Sequence, residues 1–277
     1  MANHPQISVV ISTYNALVWL KKTLCGFEHQ IFKDFEIVLA DDGSRDDTKE
    51  FISEFASRIH VPVKHVWHPD NGFQKSEILN KALLQCDAEY IVMTDGDCIP
   101  RKDFLQVHQQ EKSRGHFLSG GYFKLPMSIS ESITEEDIKS QRCFDINWLK
   151  NNGLASSYKN MKLTASGLTE KLLNYSTPTG ATWNGHNASG WKTDIFAVNG
   201  FDERMQYGGQ DRELGERLFN YGIKSKQIRY SAICIHLDHP RGYKTQESID
   251  KNLKIRKATK EDNRKWTDFG IKKIKSN

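Results

Sequence analysis

Cysteine is scarce and never arranged in pairs. The 277 residues hold five, Cys25, Cys86, Cys98, Cys143 and Cys234, an odd number with no C-x-x-C spacing. Neither a disulfide framework nor a zinc site is indicated, and a reducing compartment fits. Long apolar runs are missing as well: nothing approaches the ~18 continuous residues that span a bilayer. The opening MANHPQISVVISTYN lacks the basic segment, apolar stretch and small-residue cleavage site of a leader. The chain is therefore expected to be cytoplasmic and non-spanning. A strong charge excess is absent too. The formal net charge is +4 and many of the basic residues sit near the C-terminus, which argues against a general nucleic-acid binder. Low-complexity tracts and internal repeats at the usual periods are not found. With 38% apolar and 27% charged residues, the composition is that of an ordinary globular protein.

What is present is a rhythm. Over the first hundred residues, short apolar runs alternate with amphipathic stretches: Ile7–Ile11, Leu17–Phe27, Phe35–Ala40, Thr48–Phe55, Val63–Trp67, Ser76–Leu84 and Tyr90–Thr94. This is a βαβαβαβ order. Runs such as ISVVI and FEIVLA are too continuously apolar for a strand with one wet face, so they predict a parallel sheet covered on both sides by helices. Ligands of such sheets bind outside the carboxyl ends of the strands. The polar clusters there are Ser12-Thr13-Tyr14-Asn15, Asp41-Asp42-Gly43-Ser44 and Asp95-Gly96-Asp97.

From about Phe104 the texture changes. Residues 128–177 form a polar stretch of unassigned order that reads as an acceptor-side insertion or a lid. Signals sharpen again from Asn184, with a glycine-rich segment at Gly185–Val198, a turn at Asn199-Gly200, an acidic helix opening at Gly208-Gly209-Gln210-Asp211, a short strand near Ile228–Ile235, and then His236-Leu237-Asp238-His239.

Asp95 and Asp97 can approach one divalent cation from a single loop, and hard oxygen ligands suit Mg²⁺ or Mn²⁺. A D-x-D tripeptide is equally a solvated turn, and its place after a strand is what gives it weight. A carboxylate from Asp41-Asp42 can accept hydrogen bonds from a base or ribose, or else cap the helix that starts near Asp46 or Asp47. Tyr14 can stack on a base or simply pack.

Taken in order, ISVVISTYN, FEIVLADDGSRDDT, HPDNGFQKSEILNKAL, YIVMTDGDCIP and NGFDERMQYGGQDRELGERL resemble the family 2 glycosyltransferases of the GT-A fold. NASGWKTDIFAVNGFDE, GGQD and HLDHP are similar to the galactosyltransferase-like and chondroitin-polymerase-like members. The resemblance implies a Rossmann-like, mostly parallel α/β sheet with a smaller acceptor-side subregion. Residues 1–250 would form the domain, 1–103 its nucleotide half and 104–250 its acceptor half, followed by a basic helical tail over 251–277. It further implies that Thr13, Tyr14, Asn15, Asp41 and Asp42 serve the nucleobase, that Lys75 lies near ribose or phosphate, and that Asp95 and Gly96 contact ribose or metal-bound water. Asp97 would ligate the metal together with His239, or alternatively His236, and a nitrogen ligand tilts the choice from Mg²⁺ toward Mn²⁺. Asp211 falls at the catalytic base, although the family's Glu-Asp pair reads Gln210-Asp211 here. Gly209, Gln210, Trp183, Trp191 and Tyr207 would face the transferred sugar or acceptor, with core packing as the blander account of the aromatics.

The implied reaction is inverting transfer from a UDP-sugar, galactose-type or N-acetylhexosamine, to a glycan or lipid-linked glycan acceptor in bacterial surface polysaccharide or lipopolysaccharide assembly. A nucleotidyltransferase is the rival, but ISTYNALVWL lacks the glycine-rich basic loop expected of one. A non-catalytic nucleotide-sugar-binding module and a retaining transferase are the others. From Lys251 to Asn277 ten Lys/Arg face three Asp/Glu, interleaved with Leu253, Ile255, Trp266, Phe269, Ile271 and Ile274. That tail reads either as a helix packed on its own domain or as a peripheral contact with an anionic leaflet.

Overall fold

A computed structural model describes residues 4–240 and 245–273. The expected rhythm is present with small extensions: β1 (Ile7–Thr13), α1 (Leu17–Glu28), β2 (Phe35–Asp41), α2 (Asp46–Arg58), β3 (Val63–Trp67), α3 (Lys75–Gln85) and β4 (Tyr90–Asp95). β5 (Cys98–Pro100), α4 (Phe104–Glu111), β6 (His116–Ser119) and β7 (Gly121–Lys124) follow. Next come α5 (Met127–Ser132), α6 (Glu135–Lys139), α7 (Ile146–Asn151), α8 (Met161–Thr164) and α9 (Gly167–Ser176). The chain then continues through β8 (Ala188–Trp191), α10 (Lys192–Ala197), α11 (Gln210–Tyr221), β9 (Lys224–Gln227), β10 (Ile233–His236) and α12 (Gln246–Glu261).

Seven strands form the main sheet in the order β3-β2-β1-β4-β8-β6-β9. β1 pairs in parallel with β2 and β4, β2 with β3, and β6 with β9, while β8 runs antiparallel to both β4 and β6. β2 is buried along its whole length and β1 nearly so, as two covered faces require. On one face α1 buries Leu20, Leu24 and Phe27 at helical spacing against Ile7, Val9 and Ile11. On the other, α3 and α11 close over Val10, Val38 and Met93 with Leu79, Leu83, Leu214 and Leu218. The α/β architecture is the one expected, with β8 as its antiparallel insertion.

A second sheet, β5-β10-β7, continues outward from the end of β4. Its apolar side, with Ile99, Phe123 and Ile235, packs against Ile129, Ile138 and Leu149 of the helical segment. Residues 128–177 are therefore largely a run of short helices. α6 carries a full capping box between Thr134 and Asp137.

The expected boundary after residue 250 needs correction. α12 already begins at Gln246, capped by the Thr245 side chain, and packs on α11, so the boundary falls inside a helix. The following segment returns to the domain: Ile271 packs against the core and Asn199 donates to the carbonyls of Thr267 and Lys272. Ile274 and the rest of the tail lie outside the described residues. Among the described residues no helix is long and apolar enough to cross a membrane.

Candidate active site

The carboxyl ends of β1 and β4, the start of α3, the start of α11 and the segment after β10 converge on a cleft of about 950 Å³. Thr13, Tyr14, Asn15, Asp42, Lys75, Asp95, Gly96, Asp97, Gly209, Gln210, Asp211, His236 and His239 all line it. Residues separated by some two hundred positions thus meet at one crevice, because α11 lies on the face of the sheet with its first turn at the carboxyl ends of β1 and β4.

On the β1 side, Asp42 is nearly buried. It accepts from His68 Nε2 at 2.7 Å and from the Gln74 backbone N–H at 3.0 Å. Lys81 Nζ lies 3.0 Å from His68 Nδ1 and can only donate, which puts the histidine proton on Nε2 and aims it at Asp42. Burial still pushes the Asp42 carboxyl upward, against the His68 hydrogen bond. Each carboxylate oxygen has one of these partners, and the residue lines the cleft. Tyr14 is half exposed and its hydroxyl donates to Asp70 at 2.8 Å, which sets the ring as one wall. Thr13 Oγ1 is buried without a partner, a polar atom waiting at the cleft. Asn15, at φ +46°, ties this loop to the next through its N–H to Ser44 Oγ and its Oδ1 to Arg45 N–H.

Asp41 is a correction. It is fully buried, is absent from the cleft wall, and accepts from Ser44 N–H and His65 Nε2. Its work is to hold the turn that presents Asp42.

At the end of β4, Asp95 Oδ1 accepts from Lys75 Nζ at 2.7 Å and from Ser12 Oγ at 2.8 Å. Burial alone would raise this carboxyl, but the Lys75 charge and hydrogen bond hold it well below the usual range. Burial would likewise discharge Lys75, and Asp95 followed by Asp211 keep its ammonium firmly protonated. The pair therefore presents a fixed cation beside a fixed anion on the cleft floor.

Asp97 faces two imidazoles. Its Oδ2 is 2.8 Å from His239 Nε2 and 3.8 Å from His236 Nε2, and the two rings stack at 5.8 Å. Each Nδ1 sits against a backbone carbonyl, that of Leu237 for His236 and that of Pro240 for His239. A carbonyl only accepts, so Nδ1 carries a proton in each ring and Nε2 is the atom left facing the carboxylate, free to bind a metal when unprotonated. Two nitrogens and a carboxylate oxygen aimed at one another fit a divalent cation that takes mixed N/O ligands. Cys98 Sγ lies beside Asp97 and His236, but a soft thiol is a poor match for Mn²⁺ or Mg²⁺.

Asp211 occupies the first turn of α11. Its Oδ1 is buried without a partner, and the Gly185 backbone N–H donates to its carboxylate. Burial raises the carboxyl to about 6, opposed by Lys75 and reinforced by Asp95. Asp211 is thus a desolvated carboxylate poised near neutrality, as general-base work requires. Gln210 folds back so that its Oε1 accepts from Gly208 N–H. Gly208 and Gly209 stand at φ +109° and +91°, a left-handed backbone that other residues rarely adopt. Phe73 and Tyr207 meet edge to face at 6.0 Å on the cleft wall.

Neither tryptophan reaches this cleft. Trp183 is fully buried, packed on Phe117 and covered by Gly190 and Gly215, so it has no free face for a sugar. Trp191 pairs with Tyr90 at the opposite end of β4, is capped by the Arg114 guanidinium at 3.6 Å, and donates to Ser113 O. Trp183 is a core residue and Trp191 is partly buried against the core away from the cleft, and the sugar-facing role expected of them is withdrawn.

The cleft also holds residues that the sequence reading passed over. His186 lines it with its ring edge-on to Tyr122 at 4.5 Å, and burial lowers it to about 4, so it is neutral. The only linear signal was a histidine after glycine just before β8. Tyr122 carried no signal of its own, and Ser12, within the polar cluster after β1, had no role assigned to it.

The model for "Glycosyl transferase family 2" matches residues 8–124. Over 272 residues the chain is 26% identical to a chondroitin synthase of Escherichia coli, covering 90% of this chain and 37% of that one. Over 246 residues it is 27% identical to a validoxylamine A glucosyltransferase of Streptomyces hygroscopicus subsp. jinggangensis, covering 82% and 54%. It thus spans about a third to a half of the length of these relatives. Among solved structures, the mannosyltransferase PcManGT of Pyrobaculum calidifontis, in complex with GDP-Man and Mn²⁺, superposes with a TM-score of 0.56 at 18% identity, covering 92% and 61%. S. aureus TarS 1-349 in complex with UDP-GlcNAc gives 0.57 at 15%, covering 86% and 60%. The sheet order, the cleft at the strand ends and these likenesses agree: the fold is GT-A, and the segment over residues 8–124 is similar to the family 2 glycosyltransferases.

Proposed function

We propose that this chain is an inverting, metal-assisted transferase that moves a hexose or N-acetylhexosamine, galactose-type first, from a UDP-sugar to a glycan hydroxyl. The observation that carries the reading is Asp211: a desolvated carboxylate with an unpartnered oxygen, opening onto the same cleft as Asp95 and Asp97. Asp211 takes the proton from the attacking hydroxyl. Tyr14, Thr13 and Asp42 hold the base, and Lys75 with Asp95 orients ribose and phosphate. Asp97, His239 and His236 hold Mn²⁺ or Mg²⁺, which when bound supplies Lewis-acid neutralisation of the leaving diphosphate. Because the attacking and leaving groups occupy opposite faces of one anomeric carbon, a single displacement inverts it.

The donor assignment leans on the TarS complex with UDP-GlcNAc. The N/O donor set supports manganese, which accompanies GDP-Man in the Pyrobaculum structure. Bacterial surface polysaccharide or lipopolysaccharide assembly, on the inner side of the membrane, is the setting we infer. Incubating the chain with a panel of UDP-sugars and Mn²⁺ while monitoring UDP release tests the reading. We expect release with at least one sugar and its loss in Asp211→Asn. Release that the variant leaves unchanged would overturn it.

A further inference from the structure

Just outside the cleft wall, two cations are brought together that donor binding leaves unused. Lys162 lies on α8 and Arg229 in the turn after β9, and neither has an ion pair among the described residues. The side chains acting electrostatically on Lys162 are Arg229, then Cys234, which opposes it, then Lys159. Lys162 Nζ donates to Tyr122 O at 2.9 Å and sits 5.7 Å from the Tyr122 ring centroid. Arg229 Nε is shut away from solvent with no hydrogen-bond partner.

Arg229 is held close to β7. A Cβ on Gly121 would come within 2.6 Å of Arg229 Cγ, so the arginine stem lies directly across the strand, one residue before Tyr122. The loop that carries it is pinned by α9, where Asn174 accepts from Tyr230 N–H and donates to Ser231 Oγ. Tyr122 itself lines the cleft. Burial, then Arg229, pulls Lys162 down to about 8. Two half-buried cations that repel each other cost stability, and an unsatisfied guanidinium N–H adds to that cost. A bound anion would offset the repulsion.

We propose that Lys162 and Arg229 form an acceptor-side anion subsite, which grips a carboxylate or phosphate carried by the acceptor glycan while its hydroxyl lies in the cleft beyond Tyr122. The inference rests on the glycosyl-transfer reading and names its acceptor class: an acidic glycan. The arginine offers a planar fork to two oxygens, and the lysine adds a point charge.

The test uses the full chain saturated with UDP and Mn²⁺, so that the donor site is filled. Three probes are titrated by calorimetry: a uronic-acid oligosaccharide, a glycerol phosphate oligomer and a neutral oligosaccharide of equal length. We expect at least one anionic probe to bind about ten- to a hundredfold tighter than the neutral one. Which of the two gains distinguishes carboxylate from phosphate. Arg229→Gln and Lys162→Gln should each remove most of that preference, while Lys171→Gln, exposed on α9, keeps it. Equal affinity for anionic and neutral probes in the wild type, or a preference that survives both substitutions, overturns the subsite. Circular dichroism checks folding, and should Arg229→Gln not fold, Lys162→Gln decides by the same criterion. UDP-sugar hydrolysis by the wild type is measured alongside. Anion preference without turnover would sink the transfer reading alone, and turnover without preference would sink the subsite alone.

Discussion

Asn252, fully buried on α12, donates from its amide to the carbonyl of Gly208 at 2.8 Å and to that of Gln206 at the same distance. Ser248 Oγ adds a bond to Tyr207 O, and Arg256 pairs with Glu216 of α11. The C-terminal helix is therefore the brace of the glycine turn that aims Asp211. Asn252→Ala would remove the donor from two part-buried carbonyls, at a cost of about 1 kcal/mol each. We expect a lower melting temperature together with a fall in kcat, while UDP affinity, read by calorimetry, holds. A lower melting temperature with an unchanged kcat would reduce Asn252 to a purely structural part.

Asp211→Asn keeps the shape of the side chain but accepts no proton. Base assistance is worth roughly 10²–10⁴-fold, so transfer should fall by that factor with UDP binding retained. In the wild type, Asp211 must be ionised to act. With its carboxyl raised to about 6, the rate should drop as pH falls through that region, and the variant should lose this limb. Steady-state profiles from pH 5 to 8 would show it, and an identical acid limb in both proteins would remove Asp211 from the role.

The imidazoles at the end of β10 make a separate claim. Asp97→Asn and His239→Ala should each weaken Mn²⁺-dependent UDP binding by about ten- to a hundredfold. Cys98→Ser should change it little, because a soft thiol is a poor match for Mn²⁺ or Mg²⁺ beside a hard carboxylate. Calorimetry with UDP in the presence of Mn²⁺ and of EDTA separates these outcomes. UDP affinity that ignores the metal would contradict the assignment.

Much of this was legible along the chain, and the failures share a cause. β1 and β2 announced themselves because a doubly covered parallel strand is apolar at every position, and their carboxyl ends mark the cleft without further information. Asp95, Asp97 and Asp211 were recoverable from motifs in fixed order. Asp41 and Asp42 look alike in sequence, yet one faces the core and His65 while the other faces the cleft, since adjacent residues at a strand end point to opposite sides. Trp183 and Trp191 sit in glycine-rich segments, and the glycines that suggested an open sugar site instead make room for the Trp183 ring. His186 and Tyr122 gain meaning only when β7, β8 and β10 are brought together, a nonlocal event that no short motif encodes.

Asp211 should also work against the fold that positions it. Its folded-state value of about 6 lies above the ~3.9 of an unfolded aspartate, so ionisation is harder in the native state than in the unfolded chain. The sign follows: the penalty is fully present above about pH 6 and disappears as pH falls below the unfolded value. At pH 8 its magnitude is on the order of 2 kcal/mol. Asp211→Asn, which carries no charge to desolvate, should therefore melt at a higher temperature than the wild type at pH 8 in EDTA, with the gain shrinking toward zero near pH 4. Melting curves across that range decide the matter. A variant no more stable at pH 8, or a gain that does not vary with pH, would mean that Asp211 is not the strained carboxylate its burial makes it.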